Sequence, residues 1–181
     1  MDPGTAQEQP VGGGASGGTA PAPTPPTRHP RTHEVAAWRS FLRAHASVVR
    51  RLEADLLRVH GLSLGVYDVL VQLVEAPERR LRMTELADAV LLSRSGLTRL
   101  VDRMVRDGYV IREPDPGDAR GVWAVLTPAG FDRLRTASST HLDGVGRYVV
   151  DPLDPAELTA WGNACAKIAG ADLPAPPQLS P

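Results

Sequence analysis

Between residues 34 and 170 the apolar side chains recur at helical spacing in six stretches and at strand spacing in two. In the stretch 34–59, Val35, Trp38, Leu42, Ala46, Val49, Leu52 and Leu56 fall at three- and four-residue steps, which predicts a long amphipathic helix ending at Gly61. Ser63 is placed to cap a second helix through Val66, Val69, Leu70 and Leu73, and Pro77 to end it. Thr84 is expected to cap a short helix over 85–90, with Leu86, Ala87 and Val90 inward. Residues 91–92 read as a turn. Ser93 then caps a fourth helix, 94–107, closed by Gly108.

After Gly108 the period falls to two. Tyr109, Val110, Ile111 and Arg112 read as a strand, residues 114–118 as a turn cluster, and Val122, Ala124 and Leu126 as alternate positions of a returning strand. Thr127-Pro128 opens a fifth helix, with a stripe of Phe131, Leu134, Leu142, Val145 and Val149. Asp154, with Glu157 three residues on, opens a sixth, where Leu158, Trp161, Cys165 and Ile168 share a face. A short helix, a turn and a second helix make a helix-turn-helix, and a hairpin directly after it makes it winged. The fold class expected is therefore mainly α with a small β-hairpin wing.

Composition trims the ends. Six Gly and seven Pro within the first 30 residues leave too little apolar surface to offset chain entropy, and the last ten residues carry four Pro. The organisation expected is a Gly/Pro-rich tail over 1–32, a helix over 33–61, a winged helix-turn-helix over 62–126, two helices over 127–171 and a tail over 172–181. The single cysteine, Cys165, excludes a disulfide framework and reads as a packed side chain. No apolar run is long enough to cross a bilayer and no secretory leader is visible, so a cytoplasmic location is expected. The five His show no metal spacing, and no phosphate loop or nucleophile–base pair is present, so neither a cofactor nor an enzyme is expected.

The net charge of −1 hides an uneven distribution: residues 79–121 hold nine Arg, no Lys and seven acids. On the fourth helix, Leu97, Leu100, Val101, Met104 and Val105 form one apolar stripe. Ser95, Arg99, Asp102 and Arg106 lie opposite, with Arg94, Thr98 and Arg103 on the flanks. Ser and Arg side chains in the first turns suit reading of base edges in a major groove, and the helix N-terminus presents N–H groups to a phosphate. The plainer reading of the same face is a solvated basic surface. In the hairpin turn, Arg120 has the chemistry to enter a narrow minor groove, and Asp118 to hold Arg120 or a turn N–H in place.

Five words in order carry a resemblance: Met83-Thr84-Glu85-Leu86-Ala87; Ser95-Gly96-Leu97-Thr98-Arg99-Leu100-Val101-Asp102-Arg103-Met104; Asp107-Gly108-Tyr109-Val110-Ile111-Arg112; Asp118-Ala119-Arg120; and Leu126-Thr127-Pro128-Ala129-Gly130. With these, residues 62–130 resemble the multiple-antibiotic-resistance regulator (MarR) family of winged-helix repressors, and the flanking helices extend the likeness over roughly 34–170. Ala119 departs from the family's frequent second basic residue in the wing.

The resemblance implies a homodimer joined through the first and the last two helices, binding double-stranded DNA at a palindromic operator. It implies DNA contacts from Ser93, Arg94, Ser95, Thr98, Arg99, Arg103, Asp118 and Arg120. It further implies release by a small aromatic or carboxylate effector held near Trp38, Tyr67, Asp68 and Arg112. The competing expectation is a winged-helix protein-interaction module without sequence-specific DNA binding.

Overall fold

The computed structural model describes residues 28–90 and 93–170, the side chains of residues 119 and 120 excepted. Helix α1 spans Thr32–His60, taking in the last residue of the expected N-terminal tail. The rest of both expected tails, apart from residues 28–31, and the turn at 91–92 lie outside the described residues. At the start of α1 the Glu34 carboxylate accepts the Arg31 backbone N–H at 2.7 Å. At its end Gly61 adopts φ +61°, a left-handed conformation that costs any side-chain-bearing residue. Helix α2 (Leu64–Glu75) begins as expected, with the Ser63 hydroxyl accepting from the Val66 N–H at 3.3 Å. It stops at Ala76, which is extended because Pro77 follows.

The next segment departs from the sequence expectation. Glu78 and Arg79 both take positive φ, 55° and 54°, though neither is Gly. They redirect the chain into a short strand, β1 (Arg80–Arg82), which the apolar alternation does not reveal. The Arg79 guanidinium lies 4.4 Å from the Phe131 ring centroid, an attraction that offsets part of the backbone cost. Helix α3 (Met83–Ala89) starts two residues earlier than expected, and its cap is Arg82 rather than Thr84. The Glu85 carboxylate accepts the Arg82 N–H at 3.0 Å, so the acid alone closes this end while Thr84 sits inside the first turn. Helix α4 (Arg94–Arg106) is capped by Ser93, whose Oγ accepts from Gly96 N at 3.1 Å.

Strands β2 (Val110–Asp115) and β3 (Asp118–Leu126) form the hairpin. They run further than expected: most of the 114–118 cluster is strand, and only Pro116 and Gly117 make the turn. β1 adds to the far side of β3, giving an antiparallel sheet in the order β1-β3-β2, with Trp123 opposite Arg82 on one side and Glu113 on the other.

The core gathers around α2. Val69, Leu70 and Leu73 are fully buried against Leu56, Leu86, Val101, Met104, Val110, Ala124 and Ala137. Helix α5 (Pro128–Val145) is capped by Thr127, whose Oγ1 accepts from Gly130 N at 3.0 Å and donates towards the Gly108 carbonyl at 2.7 Å. A Cβ at Gly130 would collide with the Tyr109 carbonyl, so the wing root and α5 meet backbone to backbone. The fifth helix does not continue regularly to Val149: Gly146–Val150 forms a π turn. Helix α6 (Pro155–Ala169) follows, with Asp154 accepting from the N–H groups of Ala156 and Glu157, both at 2.8 Å. Helix α6 buries none of its residues.

Candidate nucleic-acid interface

Helix α4 turns Leu97, Val101 and Met104 into the core, each at most 1% exposed. Leu100 is half-buried, and Val105, at the stripe's edge, is exposed. The opposite side is open. Ser93, Arg94, Ser95, Thr98, Arg99 and Arg103 are all exposed, and no helix covers their face. Arg106, which the expected site leaves out, is exposed as well and lies seven residues beyond Arg99 on the same face. The expected spacing could have found it.

Two of the serine and threonine hydroxyls already have work. The Ser93 oxygen serves as the helix cap and also lies 3.4 Å from the Ser95 hydroxyl. Thr98 Oγ1 donates to the Arg94 carbonyl at 2.8 Å, leaving its lone pairs to accept. The acid on this helix is neutralised: Asp102 Oδ1 lies 2.6 Å from Arg112 Nη1, on β2. Among the described residues Arg94, Arg99, Arg103 and Arg106 have no acidic partner, so the open face carries net positive charge.

The wing stands beside this face. Between the start of α3, α4 and the hairpin lies a cleft of 360 Å³ whose lining includes Thr98, Arg112 and Asp118. Asp118 begins β3 and is engaged in an interaction of its own. The Arg120 side chain, expected to contact DNA, lies outside the described residues.

The four residues expected around an effector are dispersed. Trp38 is on the outer surface of α1, 56% exposed, and stacks on Phe41 with centroids 5.7 Å apart. Tyr67 is buried in α2 and stacks on His141 of α5 at 4.3 Å. Asp68 is its neighbour; the surrounding protein, reinforced by Glu53, pushes its carboxyl up to about 6. Burial lowers the His141 pKa. Arg112 is held by Asp102 and by the Thr98 carbonyl at 3.4 Å, in a cleft that none of the other three lines. Sequence spacing could not foresee this, because the α4–β2 ion pair joins segments whose sidedness depends on how the hairpin folds back.

The comparisons with known proteins fall on the same geometry. A model of the MarR family matches residues 60–121. The chain is 36% identical to Sco3205, a MarR family transcriptional regulator from Streptomyces coelicolor solved in complex with DNA. That likeness covers 83% of this chain and 98% of Sco3205, with a TM-score of 0.74. The chain belongs to the MarR family. A second regulator of the family from Streptomyces coelicolor, AbsC, is also 36% identical, over 80% of this chain and 97% of AbsC, with a TM-score of 0.71. The HTH-type transcriptional repressor YetL of Bacillus subtilis (strain 168) is 34% identical over 85 residues, 47% of this chain and 51% of YetL. The match to YetL thus spans about half of that relative. This MarR-family regulator has the family's helix-turn-helix in α3 and α4 and its wing in β2 and β3. Among its described residues no single helix is long and apolar enough to cross a membrane.

Proposed function

We propose that this MarR-family regulator acts in the cytoplasm as a homodimer that binds a palindromic DNA operator and represses transcription. The observation that carries the reading is the open, cationic face of α4, with its one acid paired off by Arg112. Arg94 and Arg99, with Ser93, Ser95 and Thr98, enter the major groove; Arg103 and Arg106 meet phosphates further along. The wing, with Arg120 oriented by Asp118, enters the adjacent minor groove. The DNA in the Sco3205 complex supports the class of partner. The name of YetL supports repression.

Dimerisation rests on the exposed apolar side chains of the outer helices. Trp38, Phe41 and Leu42 on α1, Leu142 on α5, and Trp161 and Ile168 on α6 are between 41% and 77% exposed. A helix of α6's length is marginal in water without a packed face, so a second copy that covers it makes the fold complete. Residues 33–61 and 127–171 then form the dimerisation body, and residues 62–126 the DNA-binding lobe. A two-fold pair of α4 helices calls for half-sites about one helical turn apart.

For an effector, the reading is a small aromatic or carboxylate molecule near Tyr67 and Asp68, a hydroxyl of which can donate to the Asp68 carboxylate. Trp38 joins this region only through the partner copy.

The test is selection of duplexes from a randomised pool by the purified protein, followed by sedimentation of the complex. Enrichment of a palindrome bound by two chains is expected. Uniform recovery of all sequences would leave the chain a protein-interaction module.

A further inference from the structure

The wing is tied to the helix-turn-helix by a buried charge. Asp115, at the end of β2, is 8% exposed, the one buried charged residue among the described residues. Its Oδ1 accepts the Gly117 N–H at 2.9 Å, fixing the hairpin turn. Its Oδ2 forms an ion pair with Arg82, the residue that caps α3. On the way the Arg82 guanidinium passes over the Trp123 ring, 5.4 Å from its centroid, so one side chain spans the sheet from β1 across β3 to the end of β2. Gly121 makes room for Asp115: a Cβ there would stand 2.7 Å from the Asp115 Cβ.

Buried carboxylates need a partner; Asp115 Oδ2 has no hydrogen-bond partner, so the Arg82 charge is what compensates its burial. Arg112 ties the middle of β2 to Asp102 on α4, and the Arg82 pair ties the end of β2, beside the Pro116–Gly117 turn, to the start of α3. We propose that the Arg82–Asp115 pair is a latch that sets the angle of the wing to α4, making both residues positioning residues for the wing's approach to the minor groove. This rests on the DNA-binding reading above. Neither residue touches the duplex: Arg82 and Asp115 act through Arg120.

The experiment has two arms, on wild type, Asp115→Asn and Arg82→Lys. Asparagine keeps an acceptor for the Gly117 N–H and lysine keeps the charge, so both variants retain the fold. In the first arm, amide hydrogen exchange is followed on the DNA-free protein. Exchange at residues 117–121 is expected to rise at least tenfold in both variants while that of α4 stays within twofold. Unchanged wing exchange overturns the latch, whether or not the protein binds DNA. In the second arm, affinity for a duplex selected by the wild type is measured in the native and Arg120→Ala backgrounds. Asp115→Asn is expected to weaken binding about tenfold in the first background and less than twofold in the second, with minor-groove hydroxyl-radical protection lost and major-groove protection kept. Equal losses in both backgrounds overturn the positioning role. A wild type that selects no duplex refutes the DNA-binding reading, and with it the positioning role, leaving the latch to stand or fall on exchange alone.

Discussion

Arg112 and Asp102 meet at 2.6 Å and join the first strand of the wing to α4. Both are partly exposed, so the pair adds little to stability, less than about 1 kcal/mol. Its effect is on sign: it cancels the acid on a face that otherwise carries four arginines. Arg112→Ala should therefore leave the melting temperature nearly unchanged yet weaken DNA binding several-fold by baring the Asp102 carboxylate. Asp102→Asn in the same chain should restore most of the loss. Anisotropy titrations of the single and double variants check this, and a double variant as weak as Arg112→Ala would refute it.

Arg99 has no acidic partner among the described residues and is exposed in the second turn of α4. Arg99→Ala is expected to cost about 1–3 kcal/mol of specific binding and to relax the base preference at one position per half-site. Arg103→Ala should instead weaken all duplexes alike and flatten the salt dependence. Repeated selection with each variant, at two salt concentrations, distinguishes the two outcomes.

Much of the helical lobe was legible because its ends are written in local chemistry. Ser63 and Ser93 accept the N–H groups their spacing predicts, and Gly61 and Gly108 take positive φ where the helices must stop. β1 was not legible. The reversal before it is made by Glu78 and Arg79 in left-handed geometry, a place where sequence signals would call for Gly or Asn. The cap of α3 was misplaced for a related reason. Thr84 looks like a cap, but Glu85 reaches back to the Arg82 N–H and wins, since it also neutralises the helix's N-terminal N–H charge. The candidate site was half legible. Periodicity alone sorts α4 into core and open faces, whereas the separation of Arg112 from Asp68 depends on long-range packing.

Asp68 gives a pH signature. Its folded pKa, about 6, lies above the ordinary carboxylate value, so the native state holds the proton more tightly than the unfolded chain. That contribution is complete below about pH 4 and is lost as the pH rises through 6. Asp68→Asn should therefore match wild type in stability at pH 4 and exceed it at pH 7. Asp68 is partly exposed, so screening limits the gain to about 1 kcal/mol. Urea denaturation at the two pH values provides the comparison; a gain that is larger at pH 4 contradicts the assignment.

Ile168, 77% exposed, makes no contribution to the core of one chain. Ile168→Glu should leave residues 62–126 folded while shifting the protein towards monomer. DNA affinity should then fall by at least tenfold, because only one half-site is held at a time. Sedimentation equilibrium with the circular dichroism of the same sample reads both effects.

Gly130 tests the junction of wing and α5. Gly130→Ala pushes a methyl group into the Tyr109 carbonyl and should destabilise the fold by about 1–3 kcal/mol. Thermal unfolding measures it.

The π turn at Gly146–Val150, closed by the Asp151 N–H on the Gly146 carbonyl at 2.9 Å, carries one residue more than an α-helical turn would. One residue of helix corresponds to about 100° of rotation. Removing a single amino acid there would turn the residues that lead into α6 by that angle, and change how the face bearing Trp161 and Ile168 is presented to a second copy in the dimer proposed above.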